Sequence, residues 1–230
     1  MITQRSIDAR TARIALSFAL AVGLYPATTF AGYSFADGAD YLTASQNFPR
    51  WAALMARHDA QTRELDGCIA DGAQCPSALR AFREVVIDGA PLDARRKIDL
   101  ANRFINTRRW SIEPRRDDDW RTLDEFLHRG GDCEDFAIAK YFLLRRLGFS
   151  VDDVRVAITW DRQVRDYHAV TLVHFGGRVY VLDVDGPPRF GQDNYRFLFS
   201  INESGVWDHA SRDPRHRNDD VHQPEGEEHL

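Results

Sequence analysis

The sequence has few cysteines, no excess of basic residues, no internal repeats and no long apolar run. Three cysteines among 230 residues exclude a disulfide framework, because they allow one bridge and leave one thiol over. The formal net charge of −5 is opposite in sign to that of the basic stripe typical of nucleic-acid binders. We therefore expect no nucleic-acid partner for this chain.

The composition is that of a globular protein with one main core. Hydrophobic residues make up 43% of the chain and charged residues 28%, and there are 14 Phe, 7 Tyr and 5 Trp. So many aromatic side chains require burial, which excludes disorder throughout the chain.

The N-terminus has the pattern of a secretory signal peptide. Residues 1–13 carry three arginines, Ile14–Leu24 is uncharged, and Pro26 and small residues follow up to Ala31. This apolar run is too short to span a bilayer comfortably. We expect residues 1–31 to be removed, leaving a protein outside the cytoplasm with no transmembrane segment. The alternative is a buried N-terminal helix.

The rest of the chain divides into a domain at 32–207 and a charged, histidine-containing tail at 208–230 that we expect to be poorly ordered. Apolar spacing predicts helices over 41–66, 77–88, 92–107 and 123–128, the last with a capping box from Thr122 and Glu125. Cys68 and Cys75 flank a Gly-containing loop, and outside the cytoplasm a disulfide is the natural interpretation. The alternative, a metal pair, lacks further ligands at zinc spacing.

The third cysteine lies in the phrase Gly130-Gly131-Asp132-Cys133-Glu134-Asp135-Phe136. Two glycines predict a tight turn, and the apolar run to Leu147 before Gly148 predicts a helix beginning near Cys133. Unpaired N–H groups at a helix start lower the pKa of a thiol and can bind an oxyanion. We therefore predict a nucleophile, the alternative being a small buried hydrophobic residue.

A thiolate nucleophile requires an imidazole, and His168 begins a strand beside a polar loop. Gly176-Gly177 separates that strand from the next and predicts a tight hairpin in which facing residue numbers sum to 353. His168 then faces Asp185 directly and Asp183 diagonally, and either carboxylate could orient the imidazole. His174, on the same face at the turn end, is expected to be structural or exposed.

These motifs resemble the bacterial transglutaminase-like cysteine proteinases, a family of LapG-like periplasmic enzymes. The most specific phrase runs from Gly131 to Lys140, and the resemblance spans roughly residues 45–205. It is supported by Asn106, Asp118-Asp119-Trp120, His168-Ala169-Val170 and Leu182-Asp183. It implies an α+β fold: a papain-like or transglutaminase-like core with N-terminal helices and the nucleophile helix packed on an antiparallel sheet.

The resemblance also implies a Cys133, His168 and Asp183 triad, although Val184 stands where the family has Asn. It implies Ca²⁺ bound by Asp132 and Glu134, to which we add Asp118 as a candidate because Ca²⁺ takes six to eight oxygens. The indole of Trp120 or Trp110 is a candidate second oxyanion donor.

By the same resemblance, the substrate is the N-terminal region of a large surface adhesin, cut near paired alanines to release a biofilm. An inner-membrane receptor that senses cyclic di-GMP would sequester the enzyme. Two alternatives remain: an acyltransferase or amidase with the same triad, and a non-catalytic binding module on the same fold.

Overall fold

A computed structural model of the chain describes residues 39–73, 75–112, 119–190 and 194–209. The predicted signal peptide over residues 1–31 lies outside the described residues, as does the tail from residue 210 onward. The last strand ends at Asp208 and His209 is buried, so ordered structure continues two residues into the predicted tail.

The described residues form five α-helices on one side of the fold: α1 Pro49–Ala70, α2 Ser77–Gly89, α3 Ala94–Asn106, α4 Leu123–Arg129 and α5 Cys133–Arg146. Local signals explain several of the boundaries. Pro49 occupies the first turn of α1, where its missing N–H has no cost. Asp93 caps α3 through the Arg96 N–H, and the predicted capping box of Thr122 and Glu125 begins α4.

The predicted helix over 41–66 is wrong at both ends. Asp40–Thr43 is a strand, β1, and a short 3₁₀ turn over Ser45–Asn47 precedes α1. At the other end α1 continues to Ala70, which puts Cys68 in its last turns rather than in a loop. The predicted disulfide between Cys68 and Cys75 is present and joins α1 to the start of α2.

The other layer is a seven-stranded antiparallel sheet. The remaining strands are β2 Val154–Asp161, β3 Asp166–Phe175, β4 Arg178–Leu182, β5 Arg189–Phe190, β6 Tyr195–Ile201 and β7 Val206–Asp208. Their order is β1-β7-β6-β2-β3-β4-β5. In the β3–β4 hairpin, Thr171 faces Leu182 and Phe175 faces Arg178, which confirms the predicted register.

The main core lies between α5 and the sheet. Every residue of α5 from Asp135 to Leu144 is buried, as expected of a helix covered on all sides. The Thr171 hydroxyl donates to the Ala137 carbonyl at 2.8 Å and ties β3 to this helix. A smaller cluster built around Val170, Leu172 and Phe197 forms a second core. Among the described residues, none of the helices has the length and apolar character needed to cross a membrane.

Candidate active site

Cys133 is the first residue of α5 and the one free cysteine of the chain. The turn before it needs both glycines. Gly130 has φ +75°, and a Cβ at Gly131 would overlap the Asp135 side chain. The buried Asp135 carboxylate accepts the Arg121 N–H at 2.7 Å, so it joins the segment before α4 to the nucleophile helix.

The thiol of Cys133 lies beside β3, but its proton is directed toward Glu134. The Cys133 sulfur accepts the N–H of Ala169, the residue after His168, and donates to Glu134 Oε2 at 3.1 Å. A thiol has one proton, so this geometry directs it to Glu134 and not to His168.

The expected lowering of the thiol pKa is wrong for this arrangement. Burial, followed by the charge and hydrogen bond of Glu134, raises the pKa of Cys133 well above its usual value. The Ala169 N–H acts in the opposite direction but is outweighed. The sequence indicated the favourable helix start and did not reveal how deeply the sulfur is buried.

His168 and Asp183 are brought into direct contact. His168 Nε2 lies 2.7 Å from Asp183 Oδ1. With Nε2–H donating to the carboxylate, Nδ1 is the ring nitrogen that can accept a proton. β4 ends at Leu182, so the chain leaves the sheet before Asp185 can pair with His168. The Asp185 carboxylate instead faces Arg189, at 3.7 Å.

Asp183 is held by more groups than the sequence indicated. Its Oδ2 accepts from the Arg189 guanidinium at 2.7 Å and from the Tyr195 hydroxyl, and its Oδ1 also accepts the Val184 N–H at 2.7 Å. Burial alone would raise the pKa of Asp183, but the hydrogen bonds from His168 and Tyr195 lower it to about 2. The carboxylate is therefore ionised and fixed in orientation at neutral pH.

The backbone of Asp183 is held as well. Its carbonyl accepts from Asn106 Nδ2 at 3.0 Å and from the ammonium of Lys140, which is completely buried. Burial lowers the pKa of Lys140 to about 7, against the opposing charges of Asp183 and Asp185. The sequence carried a signal for Lys140, a charged residue within the apolar run of α5. Arg189 and Tyr195 gave no such signal.

The candidate calcium residues flank the nucleophile. Asp132 is the N-cap of α5 but its side chain makes no capping hydrogen bond, and Glu134 faces the thiol. Carboxylate oxygens are the donors that Ca²⁺ prefers, so the residue types fit. Within the described ranges, however, no group of three or more such side chains is assembled. The third candidate, Asp118, lies outside the described residues.

The remaining candidates are placed as follows. His174 is at the turn end of β3, with Nδ1 3.9 Å from Asp153. The Trp120 ring is buried, with its centroid 5.8 Å from that of Phe48. Trp110 is 48% exposed, and its backbone pairs with Gly131 in the turn before the nucleophile.

Comparison with known proteins finds similarity in structure but no match by sequence family. No protein-family model and no curated protein sequence matches it. Among solved structures, the calcium-bound LapG of Legionella pneumophila is 24% identical, with a TM-score of 0.55 over 59% of this chain and 80% of that one. Two further structures of the same protein, one EGTA-treated, give a TM-score of 0.53 over 57% of this chain. The chain therefore has the LapG fold, as the resemblance of its motifs predicted.

Proposed function

We propose that this protein is a calcium-dependent periplasmic cysteine endopeptidase. The observation that supports this best is the 2.7 Å bond from His168 Nε2 to Asp183 Oδ1, next to a thiol at a helix start. A cysteine, an imidazole and an oriented carboxylate in this order are the parts of a cysteine protease triad.

The mechanism follows from these atoms. Nδ1 of His168 removes the proton of Cys133, while Asp183 holds Nε2–H and stabilises the imidazolium. The thiolate attacks a peptide carbonyl, and the N–H of Cys133 donates to the oxyanion, with Trp110 as the candidate second donor. His168 then protonates the leaving amine, and water hydrolyses the thioester.

The thiol must turn from Glu134 to His168 before this can happen. Ca²⁺ held by Asp132 and Glu134, with Asp118 as a further ligand, would supply positive charge beside the nucleophile and engage the carboxylate that now faces the thiol. The calcium-bound and EGTA-treated states of the Legionella LapG support the choice of this metal.

We further propose the biological setting that the family resemblance implies. The substrate is the N-terminal region of a large surface adhesin, and cleavage near paired alanines releases a biofilm. The protein is exported by the signal peptide at residues 1–31, and an inner-membrane receptor for cyclic di-GMP sequesters it.

One observation favours a second candidate, a non-catalytic binding module on the same fold. In such a module the thiol would remain protonated, and here Cys133 donates its proton to Glu134 Oε2 at 3.1 Å and not to His168. The two candidates differ in whether Cys133 becomes reactive when calcium is supplied.

Alkylation of Cys133 by iodoacetamide separates them without knowledge of the substrate. The other two cysteines are bridged, so intact mass reports Cys133 alone. At about pH 7 we expect rapid labelling with calcium and slow labelling with EGTA. His168→Ala should slow calcium-supported labelling by about a hundredfold. His174→Ala, a histidine on the same strand away from Asp183, should change it by less than about twofold.

If the wild type, His168→Ala and His174→Ala are all labelled slowly and at the same rate in calcium, the result favours the binding module. If labelling is rapid, incubation with peptides containing an Ala-Ala pair tests for cleavage, with matched Gly-Ser peptides as the control. Incorporation of a primary amine in place of hydrolysis would instead identify an acyltransferase.

A further inference from the structure

The face of β3 that packs against α5 changes from covered to open at the start of the nucleophile helix. Side chains alternate across a strand, so Tyr167, Ala169, Thr171 and Val173 lie on the same face of the sheet. The last three are 2% exposed or less, whereas Tyr167 is 58% exposed. The cover therefore ends between residues 167 and 169.

The direction of α5 explains this change in exposure. The Cys133 sulfur accepts the Ala169 N–H, and one helical turn later the Ala137 carbonyl accepts from the Thr171 hydroxyl. The helix therefore runs along β3 from residue 169 toward residue 171, and it covers only the part of the strand that lies beyond its own first residue. Tyr167 lies in front of the helix, on the side to which its unpaired N–H groups point.

Tyr167 belongs to an aromatic pair, which we call the aromatic platform. It faces Trp160 of β2 directly, and the two ring centroids are 5.3 Å apart in an edge-to-face arrangement. Trp160 is half-buried and is paired on its other side with Arg196 of β6, so Tyr167 is the exposed member of the platform. In the described part of the chain, the pairing of β3 with β4 stops at Thr171 and Leu182, which leaves Tyr167 at an open edge of the sheet.

The aromatic platform lies where a substrate bound at the nucleophile would pass. Two residues of a strand span about 7 Å, so Tyr167 is one to two residues of an extended chain away from a carbonyl held at Cys133. The turn beside the platform, over residues 161–166, carries two acidic and two basic side chains and therefore adds no net charge. The exposed rings are accordingly the main feature that a neighbouring substrate side chain would meet.

We propose that the aromatic platform is a substrate subsite that binds an apolar side chain one or two residues from the cleaved bond. An apolar side chain placed on the exposed ring of Tyr167 removes both surfaces from water, which favours binding. Tyr167 is in this role a specificity-determining residue and takes no part in breaking the bond. The inference rests on the proposed endopeptidase function and adds to it a preference for an apolar residue beside the paired alanines.

The test is the binding of two fluorescent peptides, in calcium, to the full chain carrying Cys133→Ser, which cannot cut them. Both peptides have a central Ala-Ala pair; one has Leu on each side of the pair and the other has Asn, whose side chain is similar in shape. By fluorescence anisotropy, we expect the Leu peptide to bind about tenfold more tightly. Addition of Tyr167→Ala should abolish this preference, whereas Tyr167→Phe, which keeps the ring, should retain it.

The matched control is Phe175→Ala, which removes a 38% exposed aromatic ring from the same face of β3, about 26 Å away at the other end of the strand. It should change the preference by less than about twofold. An equal loss in Tyr167→Ala and Phe175→Ala would overturn the proposal, and so would equal binding of the two peptides or binding of neither. Tighter binding of a peptide with Glu at the Leu positions would also overturn it, because charge would then select the occupant.

Failure of the subsite and failure of the proposed function give different results. Iodoacetamide is too small to need the aromatic platform, so labelling of Cys133 in the Tyr167→Ala variant should stay within about twofold of the wild-type rate. Rapid labelling of the wild type without a Leu preference would overturn the subsite and leave the protease function standing. Slow labelling of the wild type, with a Leu preference that Tyr167→Ala abolishes, would support the subsite on a non-catalytic module.

Discussion

At the scale of single residues, Asp183 is the most heavily hydrogen-bonded side chain of the candidate site. Its two carboxylate oxygens accept from His168, Val184, Arg189 and Tyr195. The first of these contacts involves the proposed base, and the other three fix the direction in which the carboxylate faces. Orientation of the imidazole therefore depends on residues outside the triad.

Tyr195→Phe tests this dependence. Removing the hydroxyl frees Asp183 Oδ2, so we expect calcium-supported labelling of Cys133 to slow on the order of tenfold. The matched control is Tyr141→Phe, which removes a buried hydroxyl bonded to Glu203 at 3.0 Å. In the described part of the chain, the Glu203 carboxylate pairs with Arg145 and makes no hydrogen bond or ion pair with the triad. Both variants should lose stability by about 1–2 kcal/mol, but only Tyr195→Phe should slow labelling. Equal labelling of both variants would remove Tyr195 from the positioning role.

Two buried histidines predict a pH dependence of stability. Burial, with Arg146 near one and Arg155 near the other, lowers the pKa values of His58 and His209 from 6.5 to about 4. Between these pH values each of the two histidines binds more protons in the unfolded chain than in the folded one, so its contribution to the free energy of unfolding falls as the pH falls. The loss between pH 7 and pH 5 is about 2 kcal/mol for each histidine.

The test is urea unfolding at both pH values. His58→Gln should show a loss smaller by about 2 kcal/mol than that of the wild type. His128→Gln, at an exposed position, should keep the full loss. An unchanged loss in His58→Gln would contradict the assignment.

The sequence predicted the register of the β3–β4 hairpin but not which carboxylate orients His168. The Gly176-Gly177 turn predicted the β3–β4 register correctly, yet the register left Asp183 and Asp185 as alternatives. The choice depends on β4 ending at Leu182, which no local pattern marked. The sequence also carried no sign of the burial of Cys133 or of the side-chain direction of Glu134, both of which act against the expected lowering of the thiol pKa.

At the scale of elements, the turn into α5 is tightly packed. Gly131 lies against Asp135, which in turn accepts the N–H of Arg121. Any side chain at residue 131 must displace this buried carboxylate and with it the start of the nucleophile helix.

Gly131→Ala should therefore lower the free energy of unfolding by about 1–3 kcal/mol, the usual cost of overpacking. Gly67→Ala is the matched control, because a Cβ there contacts nothing within 4 Å and Gly67 lies inside α1. That substitution should stabilise the protein by about 0.5–1 kcal/mol. Urea unfolding of both variants checks the opposite signs, and a stabilised Gly131→Ala would contradict the packing described above.

Elements with local signals were predicted well. The start of α5 at Cys133 followed from its glycines and apolar run, and that of α4 from its capping box. By contrast, β1 was mistaken for helix because its pairing partner, β7, is far away in the sequence. Strand pairing at such a distance leaves no mark within a short window.

At the scale of the whole molecule, one covalent link adds to the packed core. The Cys68–Cys75 bridge joins α1 to α2, and both cysteines are buried. Closing so short a loop removes entropy from the unfolded chain.

The double variant Cys68→Ala/Cys75→Ala should lower the free energy of unfolding by about 2–3 kcal/mol, measured in urea without reductant. Reduction of the wild-type protein should have the same effect, whereas Cys133→Ala should leave the bridge intact and respond to reductant as the wild type does. If reductant has no effect on the wild-type protein, the bridge contributes no stability.

The pairing of β1 with β7 brings together the two ends of the described domain. Asp40 faces Asp208, so the first and last described strands are neighbours at one edge of the sheet, about 5 Å apart in backbone terms. A short linker from His209 to Ala39 would span this distance, which makes the domain a candidate for circular permutation with new termini at the exposed Gly176-Gly177 turn. Segments joined directly before Ala39 and directly after His209 would depart from the same edge of the sheet, so the two would be held side by side.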